Sequence, residues 1–267
     1  MPQLNNRTTL ITGASGGLGE YIAREIARRG GNLILTARSV ERLQQVAASL
    51  KTFGVQVTVI PADISVERGR EELIDSAIGE CGRIDVLVNN AGVEHVGQFT
   101  EQPWPAVRQM LDVNLAAPMH LTQLVLPQML ERRDGHVVNI SSIGGKSGAP
   151  YDAVYCGTKA GVAEWARGLR LELADSGVTF STIVPGFVTE VGMFSRFGIR
   201  PLKTIGSCKP AHVARAVADA VERESLEVIV NSMPLRPGFA LAELFPRLGD
   251  WLMHRLGVVE FQRRKFS

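Results

Sequence analysis

The sequence predicts an α/β protein: a doubly wound fold with a seven-stranded parallel sheet, helices on both faces and a helical extension at its C-terminal end. Short runs rich in β-branched residues alternate with longer amphipathic stretches along most of the chain. The short runs are near-continuously apolar, the pattern of strands buried on both faces. No Pro/Gly/Ser-rich linker interrupts the alternation, so residues 1–267 read as one domain.

The first strand is TTLIT (8–12), followed by a helix over about 17–29 with Ile22, Ala23 and Ile26 on one side. NLILTA (32–37) leads to a helix over 39–52, VQVTVIPA (55–62) to one over 66–80, and IDVLVN (84–89) to one over 103–132. GHVVNIS (135–141) precedes a helix over 152–175, and VTFSTIVP (178–185) precedes a stretch, 190–208, with no clean period. Three glycines and a proline in that stretch mark it as a candidate substrate loop. A helix over 209–223 and a seventh strand, EVIVN (227–231), complete the series.

Composition narrows the function classes. A formal net charge of +2, with no basic stripe carrying interleaved aromatics, argues against nucleic acid. The cysteines Cys81, Cys156 and Cys208 are sparse, odd in number and without ligand spacing, which favours a reducing compartment. The five histidines form no HExxH-like pattern, so no metal site is expected. The N-terminal MPQLNNRTTLITG lacks the apolar core of a signal peptide, and nowhere do 18 uncharged apolar residues run together. The expectation is a cytoplasmic protein without a membrane span.

After the first strand comes TGASGGLG, placing Gly13, Gly17 and Gly19 at a strand-to-helix turn. Glycines there let the backbone approach a pyrophosphate, whose charge meets the free amides and positive dipole end of the helix. The spacing is GxxxGxG rather than GxGxxG, and an ordinary glycine-rich turn is the alternative. At the end of the second strand, where an acidic residue would grip a ribose 2′-hydroxyl, stand Ala37, Arg38 and Ser39. A guanidinium there suits a 2′-phosphate, and so NADP(H), with Ser39 adding a hydroxyl. Otherwise the two residues merely open the next helix, Ser39 as its cap. Asp63 in PADIS is placed to accept from an adenine amino group or to cap a helix. Asn90, Ala91 and Gly92 follow strand four at the carboxyl edge of the sheet, where open α/β proteins bind ligands.

Ser142 ends the fifth strand, and Tyr155 and Lys159 share one face of the helix that follows. A free phenol, with its pKa near 10, carries protons poorly at neutral pH. An ammonium alongside lowers that value and makes the phenol a usable acid toward a carbonyl oxygen, with a serine hydroxyl stabilising the same oxygen. Cys156, with no histidine nearby in sequence, reads as helix packing.

TGASGGLG, NNAG, the SS of NISSIGG and YCGTK, in this order, resemble the short-chain dehydrogenase/reductase family over about residues 7–190. The resemblance implies a Rossmann fold in which Ser142, Tyr155 and Lys159 are catalytic. Asn114, in MLDVNLAAP, would complete a tetrad by holding a water that contacts the lysine. It implies a cofactor-binding set of Gly13, Ser15, Gly17, Leu18, Gly19, Arg38, Ser39, Asp63, Ile64, Asn90, Ala91, Gly92, Tyr155, Lys159, Pro185, Gly186 and Val188. Lys159 would also bind the nicotinamide ribose. It implies, too, a homodimer or homotetramer. The family's threonine falls five residues after Pro185, where this chain has Glu190 and Thr189 is one place early. Thr158 replaces the serine of YxxSK.

The expected substrate face is Ser142–Gly145, Val93–His95, Phe187 and the 190–208 loop, with Glu94 and His95 as titratable neighbours of its apolar residues. Val93, Phe187, Met193, Phe194 and Phe197 suggest a hydrophobic carbonyl or alcohol (steroid, retinoid, fatty aldehyde or ketone), unless they cover the core. A 3-oxoacyl thioester is the alternative substrate, with Arg196, Arg200 and Lys203 as docking candidates. A non-catalytic dinucleotide-binding regulator is disfavoured because both Tyr155 and Lys159 are kept. In the extension (237–267), Leu241, Leu244, Phe245, Leu248, Trp251, Leu252 and Leu256 form a helical apolar stripe that Pro246 bends or divides. That stripe could pack on the core, cover a partner subunit, or lie peripherally in a membrane interface.

Overall fold

A computed structural model describes residues 4–265. The strands are β1 (Thr8–Thr12), β2 (Asn32–Thr36), β3 (Val57–Val59), β4 (Val86–Asn89), β5 (Gly135–Ile140), β6 (Val178–Pro185), β7 (Phe187–Val188), β8 (Ser207–Cys208) and β9 (Glu227–Val230). The helices are α1 (Gly17–Arg28), α2 (Val40–Leu50), α3 (Glu67–Cys81), α4 (Trp104–Leu111), α5 (Ala117–Arg132), α6 (Ala153–Glu172), α7 (Pro210–Arg223), α8 (Arg236–Leu244), α9 (Pro246–Arg255) and α10 (Val258–Arg263). Among the described residues, one sheet has seven strands in the order β3-β2-β1-β4-β5-β6-β9. Every pairing in it is parallel.

Alternate strand residues serve opposite faces, as a pleated strand dictates. Ile11, Leu33, Leu35, Val86, Val88, Val138 and Ile183 pack with apolar residues of α1, α2 and α7. Leu10, Ile34, Leu87, Val137 and Phe180 pack with those of α3 and α5. Burial on both faces explains why these strands read as unbroken apolar runs. The strand order reverses between β1 and β4, so their carboxyl ends part and leave a crevice there.

The predicted helix over 103–132 is two helices joined by a π-helical turn, Asp112–Ala116. The strand predicted over 55–62 pairs regularly only at Val57–Val59, although Ile60 and Ala62 still donate to Leu35 and Ala37. The 190–208 stretch is pinned at its far end, because β8 pairs in parallel with β7 as a separate two-stranded sheet. Within it lies a short 3-10 turn, Phe194–Phe197.

The extension is helical, and Pro246 starts a new helix after Phe245. Its stripe does not pack on the sheet core: Leu244 is 74 % exposed, Phe245 56 % and Trp251 54 %. Helical period reports that a face is apolar without saying what it meets, and here the inner side of α8 and α9 walls the crevice while the outer side is bare. No helix of the described residues is long and apolar enough to cross a membrane. The three cysteines form no disulfide. Glu67, Glu71 and His120 cluster at the surface, where His120 Nδ1 accepts from Arg70 Nε at 3.0 Å.

Candidate active site

A cleft of about 1140 Å³ runs along the carboxyl edge of the sheet, from the glycine turn past Tyr155 to the C-terminal helices. At one end β1 stops at Thr12 and the chain turns through Gly13 (φ +67°), Gly16 (φ +147°) and Gly17 (φ +57°) into α1. A Cβ on Gly19 would lie 2.3 Å from the Gly13 carbonyl oxygen, so only glycine fits. Gly16 and Gly17 face open space instead, with nothing closer than 3.7 Å to either added Cβ. Tight packing behind and open space in front is what a backbone approached by a diphosphate needs.

The turn is braced from β4. Asn90 Nδ2 donates to the carbonyls of Thr12 (2.9 Å) and Gly13 (3.3 Å), and the Thr12 hydroxyl accepts from the amides of Asn90 and Ala91 at 3.0 Å each. Asn90 therefore acts through the turn. Thr12, missed in the sequence reading, is the anchor.

Ser15, Leu18, Arg38, Ser39, Asp63, Ile64, Ala91 and Gly92 also line this end of the cleft. Ser39 caps α2, its hydroxyl accepting from the Arg42 amide at 3.3 Å and donating to Glu41 at 3.0 Å. Exposed Arg38 has no hydrogen bond or ion pair among the described residues, and Arg42, one turn on, joins it in the lining. Arg42 is the second basic side chain that the sequence reading did not find; its i+4 relation to Arg38 across a helix start was the available signal. Asp63 Oδ1 accepts from the Ser65 amide (2.9 Å) and hydroxyl (2.7 Å), which holds its carboxyl below the usual range.

Toward the middle of the cleft, Tyr155 and Lys159 face inward from the first turns of α6, both buried. Ser142, at the end of β5, lines the same space and accepts from the Gly144 amide at 3.1 Å. Lys159 Nζ donates to the Ile140 carbonyl at 2.9 Å, and burial pushes its pKa down to about 8, with Glu94 opposing. Its Nζ stands 5.8 Å from the Tyr155 ring centroid.

The expected lowering of the Tyr155 phenol is not found. Burial pushes it well above its ordinary value of 10, the carboxylates of Glu94 and Asp152 push the same way, and the Ser142 hydroxyl opposes them. Desolvation of the anion is the largest cause, and the acidic neighbours add to it.

Asn114 is fully buried in the π-helical turn. Its Oδ1 accepts from the Val93 amide and its Nδ2 donates to the Val93 carbonyl, both at 2.8 Å, and to the Thr158 hydroxyl at 3.2 Å. The side chain thus clamps the loop after β4 to α6. Thr158 passes this on by donating to the Tyr155 carbonyl at 2.7 Å, so replacing the usual serine keeps the bond.

Pro185, Gly186, Phe187 and Val188 form the next wall. Thr189 turns away, its amide and hydroxyl both donating to the Cys208 carbonyl, at 3.0 and 3.3 Å. The substrate end is lined by Val93, Ile143, Met193, Phe194, Phe239, Leu252, Met253 and Leu256. Gly145 and His95 are not in the lining; His95 bonds Gln109 at 2.9 Å on the outer side. Cys156 is buried, with its thiol pushed up to about 12 by burial and by Asp152. Two charged residues that the sequence did not assign to the site join Glu94 in this wall: Asp152, at the start of α6, and Lys265.

The profile of the short chain dehydrogenase family matches residues 7–198. The chain is 36% identical over 270 residues to the ketoacyl reductase HetN of Nostoc sp., covering 99% of this chain and 94% of that one. Among solved structures it resembles a short-chain dehydrogenase from Sphingobium yanoikuyae in complex with NADPH (TM-score 0.79, 30% identity, 91% of this chain and 95% of that one). It also resembles a bulky-bulky ketone specific alcohol dehydrogenase from Comamonas testosteroni (TM-score 0.76, 27% identity, 92% and 94% of the two chains). With the glycine turn, the seven-stranded parallel sheet and the Ser142, Tyr155 and Lys159 side chains gathered in one cleft, the chain belongs to the short-chain dehydrogenase/reductase family of oxidoreductases.

Proposed function

We propose that the protein is an NADP(H)-dependent reductase of hydrophobic ketones or aldehydes, with Ser142, Tyr155 and Lys159 as its catalytic residues. The observation that carries this reading is the continuity of one cleft from the glycine turn and Arg38, past Tyr155, to an apolar end. The residues present suit the cofactor. Gly16 and Gly17 offer open backbone at a helix N-terminus for a diphosphate, and Arg38 and Arg42 offer two guanidinium groups for a 2′-phosphate. When bound, the cofactor supplies the hydride.

At neutral pH a phenol whose pKa lies above 10 holds its proton, which suits Tyr155 to donate to a carbonyl oxygen that gains negative charge. The Ser142 hydroxyl donates to the same oxygen. Lys159 binds the nicotinamide ribose and keeps a positive charge beside the phenolate that remains. Asn114 holds the Val93 loop, and Val93 packs against the cluster of Met110, Tyr155 and Cys156.

A ketone or aldehyde screen with NADPH and NADH tests the reading. Tyr155→Phe is expected to keep NADPH binding and lose turnover by about 10²–10⁴-fold; near-normal turnover would remove Tyr155 as the proton donor. Arg38→Asp is expected to weaken NADPH by roughly 10–100-fold and NADH much less. Equal losses would show that Arg38 only packs.

The similarity to a ketoacyl reductase favours a second reading, a 3-oxoacyl thioester substrate. Arg196 lines the cleft, and Arg200 and Lys203 are exposed nearby in sequence. Including acyl thioesters in the screen decides between the two. We further infer a cytoplasmic homo-oligomer, testable by light scattering. With core packing gone, the bare side of α8 and α9 leaves a second subunit or an anionic membrane as its partner, and vesicle co-sedimentation separates these.

A further inference from the structure

The far C-terminal segment reaches back into the active cleft. Phe261 of α10 packs on Phe187 (5.1 Å between centroids) and Phe194 (6.2 Å), which fixes the helix against the loop after β6. The chain then turns, and the Lys265 side chain enters the wall with only 4% of its surface exposed. Its Nζ lies 2.9 Å from Glu94 Oε1, 3.5 Å from Asp152 Oδ2, and over the rings of Phe197 (5.2 Å) and Phe187 (6.0 Å). Both carboxylates are nearly as buried, at 7% and 4%. Charges withdrawn this far from water are tolerated only when they satisfy one another.

They do so if one proton is counted. Asp152 Oδ1 is buried and has no hydrogen-bond partner among the described residues. Burial and the neighbouring Glu94 push the Asp152 carboxyl up to about 8, Lys265 opposing. A proton shared between the Asp152 and Glu94 carboxyls, which lie within hydrogen-bond reach, leaves one carboxyl, one carboxylate and one ammonium, a neutral set. The set adjoins the catalytic phenol. Asp152 precedes Tyr155 by three residues at the start of α6, Glu94 follows the Val93 that packs on the cluster of Met110, Tyr155 and Cys156, and all line the one cleft.

We propose that Lys265 is a positioning residue for the reaction: its ammonium ties the C-terminal helix into the cleft wall and neutralises the Glu94–Asp152 pair that faces the Tyr155 phenol. The effect on turnover rests on the reductase reading; the charge set does not. The titratable groups that act on the phenol are Asp152 and Cys156 from the start of α6 and Glu94 from the loop after β4. Lys159 from α6 stands over its ring, and Lys265 acts on it through the two carboxylates.

Two measurements on the full chain test this. In carbonyl reduction, Lys265→Met should raise the KM of the carbonyl by about tenfold or more and change kcat by much less. NADPH affinity should stay within about twofold, and Lys265→Arg should restore the KM. In a carboxyl-carbon NMR titration, Lys265→Met should move the Asp152 transition upward by about one pH unit, Lys265→Arg should restore it, and Glu94→Gln should move it down. An unchanged value in either measurement for Lys265→Met overturns the proposal. Should that variant not fold, the Glu94→Gln titration decides, and an unmoved transition there overturns it. If no carbonyl on the panel is reduced, the reductase reading falls by itself and the titration still decides on the charge set.

Discussion

Replacing Asn114 with alanine removes three hydrogen bonds at once from a side chain with no solvent exposure. Two of these satisfy both backbone groups of Val93 at 2.8 Å, so the loss leaves a part-buried amide and carbonyl without their partner. An orphaned buried polar group costs about 1–3 kcal/mol, and part of the loop can relax toward solvent, so about 2–4 kcal/mol is expected. For a chain of this size, at about 2 °C per kcal/mol, that corresponds to roughly 4–8 °C in melting temperature. The chemical consequence follows the mechanical one, because Val93 packs on the cluster that contains Tyr155 and Thr158 links Asn114 to the Tyr155 carbonyl. Turnover should fall, and hydrogen exchange at residues 91–95 should speed up. The assay is a thermal melt paired with amide exchange on that loop. An Asn114→Ala protein that melts like the parent, with a protected Val93 amide and lost turnover, would refute the clamp and return Asn114 to a purely chemical role.

Gly19→Ala places a methyl 2.3 Å from the Gly13 carbonyl oxygen, against backbone that cannot swing aside. It should destabilise by about 1–3 kcal/mol and weaken NADPH binding, and calorimetric titration with wild-type affinity would contradict the glycine cradle. His136 is buried between Ser181 and Thr179, and burial, then Arg7, pushes its pKa down to about 3 from 6.5. Because the unfolded chain takes up that proton first, His136 lowers stability as pH falls from about 6.5 toward 3, by roughly 3 kcal/mol at pH 4. Urea melts of His136→Gln should lose that part of the acid slope relative to the parent.

What the sequence made legible was what is local. The glycine turn, Ser142 and the Tyr155–Lys159 pair lie at strand ends or within one helical turn, where spacing fixes which side chains meet. Asp152 belonged to the same class, three residues before Tyr155 on one helix face, and was readable. Lys265 was not, because its partner Glu94 lies 171 residues away and no period connects them. The direction of the phenol's shift escaped for a related reason: charge proximity along the helix was visible, whereas burial and the Glu94 carboxylate contributed by the loop after β4 were not. The apolar stripe of the extension was seen correctly as helical, yet its environment depended on a cleft that exists only in the assembled fold.

The π-helical turn at Asp112–Ala116 accommodates an extra residue within the path from α4 to α5. Each residue advances a helix by about 100°, so shortening that turn by one residue would rotate everything downstream by that amount. Leu121, Val125 and Met129 would swing off the sheet, and the apolar phase that now buries them would point sideways. The family's asparagine therefore sits at a phase shifter: insertions or deletions tolerated in the surface loops nearby should be lethal to folding here.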